Sequence, residues 1–80
     1  AGRYSTSFTI LNYVTGQCSI TSSTSPSLNV GAIFGTARGA NGTFVEEIVL
    51  AQAAYIGIKG RGTAIVNNLQ IDNFTITRVG

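Results

Sequence analysis

Through much of the chain, apolar and polar residues alternate with the period of two expected for strands. Residues 4–14 (YSTSFTILNYV) are rich in aromatic, β-branched and Thr side chains, which suit a pleated surface. Phe8 and Ile10 share one face and Leu11 and Tyr13 the other, so the segment reads as a strand with apolar groups on both sides. Thr15-Gly16 is a turn signal, and Cys18 and Ile20 fall together in the alternating residues 17–23 (QCSITSS). The two segments read as a β-hairpin closed by a short Gly-containing loop.

Residues 21–27 (TSSTSPS) form a Ser/Thr/Pro loop around Pro26, the one proline. Residues 28–37 (LNVGAIFGTA) read as a third strand interrupted by Gly31 and Gly35, and residues 38–42 (RGANG) as a turn.

Two readings compete for the next segment. Thr43-Phe44-Val45-Glu46 matches a capping box before an apolar run. Residues 46–54 contain good helix formers, with two acids in the first turn. The preferred reading is a short helix at about 44–55, although apolar residues would surround it and require cover on nearly all sides. The alternative is a strand at 44–50, a break near Gln52 and a second strand at 53–59, in which Ile56 and Ile58 alternate with Gly57 and Lys59.

Gly60-Arg61-Gly62 reads as a turn, and residues 63–79 have strong β character. Leu69 and Ile71 have one parity, Phe74 and Ile76 the other. A bulge near Asp72-Asn73 would return both pairs to one core. Asn67-Asn68 is a second point at which a turn would split the segment.

The 80 residues make one domain, 1–80. The fold class expected is mainly β: a small antiparallel sandwich or barrel-like domain, with the short helix as its possible exception. Charge is scarce, with five Lys and Arg against three Asp and Glu, or 10% where about 25% is usual. Polarity comes from seven Ser, ten Thr and six Asn. The net charge of +2 is too small and scattered for a nucleic-acid stripe or a polybasic membrane patch. No apolar run approaches the length of a membrane-spanning helix.

The chemistry available is correspondingly limited. Histidine is absent and Cys18 is the one cysteine, so zinc sites of the usual ligands and Ser-His-Asp or Cys-His catalysis cannot be built within one chain. Glu46 and Glu47 are neighbours and point apart on either a helix or a strand. A two-carboxylate site would need one of them beside Asp72. The expectation is no enzymatic activity, no cofactor and no metal. Asp72 is expected to pair with Arg61, Arg78 or a backbone amide, and Gly57–Gly62 (GIKGRG) is read as a turn with solvated charges, not a phosphate loop. Cys18 is expected to be buried, an intermolecular thiol being the alternative. The start at Ala1 without Met fits a mature secreted chain or a piece of a longer one. Asn41 and Asn73 begin N-x-Thr sites, read as chance matches in an Asn- and Thr-rich chain.

Tyr55-Ile56-Gly57-Ile58 followed by Leu69-Gln70-Ile71-Asp72-Asn73-Phe74-Thr75-Ile76 resembles the last strands of carbohydrate-binding jelly-roll modules, which are usually longer than this chain. The resemblance implies a β-sandwich and allows glycans as partners, but it carries over no binding residue.

The surface points further. Sheet proteins guard their edges with charges, particularly Lys, and with Pro. This chain has one of each. The function expected is a secreted or virion structural protein that assembles with copies of itself into a filament, tube or shell through strand contacts. The alternative is a secreted glycan-binding module or small toxin subunit. Terminal segments 1–14 and 69–80 are the candidate contact strands, with Tyr4, Phe8, Ile10, Tyr13, Leu69, Ile71, Phe74 and Ile76 as interface residues.

Overall fold

The chain changes direction at Gly16, whose φ of 94° lies in a region that side-chain-bearing residues rarely occupy. The computed structural model describes residues 2–61 and 68–80. Within them are six strands: β1 (Gly2–Thr15), β2 (Gln17–Ser23), β3 (Ile33–Phe34), β4 (Gly42–Leu50), β5 (Tyr55–Arg61) and β6 (Asn68–Arg78). They form two three-stranded antiparallel sheets, ordered β4-β1-β6 and β3-β2-β5. The mainly β architecture is therefore present, without a helix among the described residues.

β1 and β2 are not the expected hairpin. They are the central strands of opposite sheets, joined at the Gly16 corner. Pairing explains the difference. β4 and β6 occupy both edges of β1 and supply more ladder than the seven-residue β2 would. With the sheets separated, Phe8 and Ile10 of β1 pack with Cys18 and Ile20 of β2 in the buried core. Tyr13, Phe44, Ile48, Ile56, Ile58, Leu69 and Ile71 pack around them.

β4 replaces the expected helix at 44–55. Phe44, Glu46 and Ile48 are opposite Phe8, Thr6 and Tyr4, while Thr43, Val45, Glu47 and Val49 occupy the outer face. Nine consecutive partners on β1 outweigh helix propensity, which tertiary context readily overrides. Strand pairing also removes the need to cover a helix that is apolar all round.

The Ser/Thr/Pro loop begins after Ser23, because residues 21–23 belong to β2. The strand expected over 28–37 contracts to Ile33–Phe34. Leu28 and Gly31 have positive φ values, so the preceding chain leaves the extended conformation and folds over the outer face of β2 and β5. There, Ser23 Oγ donates to Val30 O (2.5 Å). Lys59 Nζ donates to Leu28 O (3.1 Å) and to Asn29 Oδ1. A Cβ on Gly57 would lie 2.8 Å from Leu28 Cδ1, so the Leu28 side chain packs directly over this glycine. As a result Ser19, Thr21 and Ser23 are buried on the outer face as well as Cys18 and Ile20 on the inner one.

In β6 the register with β1 shifts between Ser7–Thr75 and Thr9–Asp72, and Asn73 adopts φ 53°. This is the expected bulge. Ile71 pairs with Ile10 and Ile76 with Thr6, returning both halves of β6 to the core-facing side. The turn expected over Gly57–Gly62 is instead strand through Arg61, because Gly57–Arg61 pair with Thr21–Gln17 of β2, and Lys59 and Arg61 contact Leu28 and Phe34 rather than standing solvated. Asn68 already belongs to β6, while Gly62, Asn67 and the start of the 63–79 segment lie outside the described residues.

Core and surface positions should respond differently to truncation. Ile10→Ala should lower unfolding free energy by about 3 kcal/mol, whereas Val45→Ala on the exposed face should change it by less than about 0.5 kcal/mol. Urea denaturation of the two variants checks the assigned faces; equal losses would contradict them.

Candidate functional site

The sequence-derived interface residues fall in three environments. Phe8 and Ile10 (2% and 0% exposed) are in the core, because the second sheet covers the centre of β1; they are unavailable to a partner in this fold. Tyr13, Leu69 and Ile71 are partly buried against that core, and Tyr13 Oη donates to Gly16 O (3.0 Å) across the corner. Tyr4 lies on the β1 face opposite Arg78, whose guanidinium carbon is 6.0 Å from the ring centroid. Phe74 and Ile76, by contrast, are 37% and 42% exposed. Tyr55 is exposed on β5.

The two margins of the domain are finished differently. On the β3–β4 side, Glu46 points inward. Thr36 N donates to its carboxylate at 3.1 and 3.2 Å, and Arg38 Nη2 approaches to 3.9 Å. Arg38 exchanges backbone hydrogen bonds with Cys18 (2.7 and 3.0 Å). Its guanidinium carbon lies 5.0 Å from the centroid of Phe44, and its buried Nε has no hydrogen-bond partner among the described residues. These contacts tie sheet β3-β2-β5 to β4. Glu46, which suggests a helix start in sequence, instead closes this margin; its alternation with Glu47 on a strand was the available signal.

The strand order places β5 and β6 on the other margin. β5 carries Lys59 and Arg61, and Arg61 lies over Phe34, with 4.1 Å from its guanidinium carbon to the ring centroid. Arg61 Nη1 also donates to Ser19 Oγ (3.4 Å). β6 has no comparable guard between Asp72 and Arg78. Asp72 does not pair with Arg61 or Arg78 in the contacts described; its Oδ1 accepts from Asn73 N (2.8 Å), the local backbone option. Asn73 of one N-x-Thr site is exposed within the bulge, and Asn41 of the other accepts from Tyr13 N (2.8 Å).

The carboxylates do not assemble into a glycosidase-like pair. Glu46 faces inward on β4, and Asp72 is opposite Thr9 on the outer face. Glu47 shares that outer face but pairs with Ser5, four residues along β1 and two strands across. The backbone separation is roughly 16 Å, against carboxyl separations below about 9.5 Å in such enzymes. Glu47 instead pairs with Arg3 Nε at 3.2 Å. A separate cleft of about 130 Å³ lies at the ends of β2 and β4, bordered by Ser22, Ile33, Val49 and Leu50; no ionisable side chain among the described residues lines it.

No protein-family model, curated protein or solved structure matches the chain.

Glu46→Ala should destabilise the fold by about 1–2 kcal/mol, since its carboxylate accepts from backbone in a partly buried setting. Glu47→Ala should cost less than about 0.5 kcal/mol because its ion pair is exposed. Similar urea midpoints for both variants would contradict this division of roles.

Burial pushes the Cys18 thiol above its ordinary pKa by desolvation. The neutral folded thiol therefore contributes its full stability below the unfolded value of about 8.5. That contribution should decline as pH rises from there through the folded value, because the unfolded chain loses its proton first. Urea midpoints should fall over this alkaline window in the parent chain, with a shallower fall in Cys18→Ala; equal slopes would contradict the coupling.

Proposed function

We propose that the chain is a secreted or virion structural subunit that assembles with copies of itself through strand contacts into a filament, tube or shell. The observation carrying this reading is the margin of β6 that no other described strand pairs with: the strand is eleven residues long, with core-facing Phe74 and Ile76 left partly exposed. Exposed strand edges offer unpaired N–H and C=O groups to another chain. Here apolar side chains accompany those groups, so association satisfies hydrogen bonds and removes apolar surface together.

The other edges clarify the choice. β3 has two residues, β5 carries Lys59 and Arg61, and β4 carries Glu46 and Glu47. Short strands and charges are ordinary protection against unwanted pairing. The nine-residue β4 nevertheless offers a second margin of the same sheet, with Val45 and Val49 exposed. Contacts at β4 and β6 together would let a sheet continue in both directions, as an extended assembly requires. The sparse ionic groups reduce repulsion between closely placed copies.

Concentration-dependent light scattering followed by negative-stain electron microscopy should detect ordered assemblies larger than one chain. A purely monomeric protein throughout a wide concentration range, with its fold intact by circular dichroism, would overturn this function.

A further inference from the structure

We infer that β6 pairs antiparallel with β6 of a second copy, in a two-fold register centred on Ile76. This contact rests on the self-assembly reading and names its partner strand and register. The bulge at Asn73 interrupts the extended ladder and leaves Phe74-Thr75-Ile76-Thr77-Arg78 as a continuous segment beyond it. Phe74, Ile76 and Arg78 belong to the core-facing side, whereas Thr75 and Thr77 belong to the outer side. The pairings of Ile76 with Thr6, Arg78 with Tyr4, Thr75 with Ser7 and Thr77 with Ser5 establish this alternation.

The segment complements itself when reversed about Ile76. Ile76 meets Ile76 of the second copy, Thr75 meets Thr77, and Phe74 meets Arg78. Every pair then has both members on the same face, the requirement for direct cross-strand contact. The inner face gains an aliphatic pair at the dyad and an arginine against an aromatic ring at each end. The outer face gains two threonine pairs. No like charges oppose one another, and the Arg78 side chains are at opposite ends of the ladder.

A register centred on Thr75 is less suitable. It would bring the left-handed Asn73 into the ladder opposite Thr77. It would also oppose Asp72 to Arg78, although the bulge places those side chains on different faces: Asp72 pairs beside outward Thr9 and Arg78 beside Tyr4. The bulge thus performs two tasks. It returns Phe74 and Ile76 to the core-facing side and limits the exposed edge to the segment that fits its own reverse.

The resulting assembly joins two three-stranded sheets into one six-stranded sheet, ordered β4-β1-β6-β6-β1-β4. A five-residue ladder is small compared with a standard interface of about 1,600 Å², so this contact forms at high subunit concentration and gains from further contacts in a polymer. Its isologous symmetry leaves β4 available at both outer margins.

Cysteine cross-linking distinguishes the registers. Directly opposed residues have Cα separations of about 4.5–5.5 Å, within the range for a disulfide. Under mild oxidation of folded full-length protein, Ile76→Cys should give a covalent dimer whose yield rises with concentration. Thr75→Cys should give much less, because its equivalent in the second copy is diagonal at about 7–8 Å. The parent chain controls for buried Cys18, and circular dichroism checks the fold of both variants. Preferential Thr75→Cys cross-linking would overturn the Ile76 register. Absence of both cross-links while light scattering still detects assemblies would overturn the β6 contact and leave the self-assembly reading standing. Folded chains that remain monomeric at every concentration would overturn both.

Discussion

The packing of Phe8 and Ile10 against Cys18 and Ile20 across the Gly16 corner is the constraint around which the domain is built. Each pair is on a central strand, so excluding water between them brings two whole sheets together. The burial is hydrophobic and nearly non-directional; the direction comes from the ladders on either side of β1 and β2. Gly16 makes these demands compatible by permitting the chain to change sheets within one residue of each strand. In this sense the core and the corner are one feature.

The two sheets are completed by different means. Residues 24–32 cover polar positions on the outer face of β2 and β5, where Lys59 holds Leu28 O and Leu28 occupies the space over Gly57. Glu46 and Arg38 close the adjoining β3–β4 margin. Among the described residues, none gives β6 a corresponding cover along Phe74 and Ile76. The functional proposal follows from this asymmetry: the chain protects several margins with its own loop or charges, while a long part of another presents both backbone and apolar groups. A small domain has little internal surface to bury, so contact between copies provides a physically direct way to use that margin.

The sequence pattern also explains why some features were legible and others were not. Period-two alternation in 4–14 and 17–23 identified two strands, and the parity change between Ile71 and Phe74 located the bulge. Neither pattern contained the identity of the partner strand, which is why the expected β1–β2 hairpin became two opposing sheets. Thr43 and Glu46 satisfy a local helix-start pattern, yet nine pairs with β1 favour a strand. Among the interface candidates, alternation could identify Phe8, Ile10, Phe74 and Ile76 as apolar strand positions, but it could not tell a covered central strand from an open margin. The Arg38–Glu46 closure was similarly hidden because its members belong to different sheets.

Side-chain order along the chain therefore determined the β character, the shortage of ionic guards and the alternating faces of individual strands. Tertiary pairing decided which faces met, placing Phe8 and Ile10 in the interior and leaving Phe74 and Ile76 accessible. The division has a physical origin: alternation is set by local backbone geometry, whereas burial depends on surfaces supplied by residues tens of positions away.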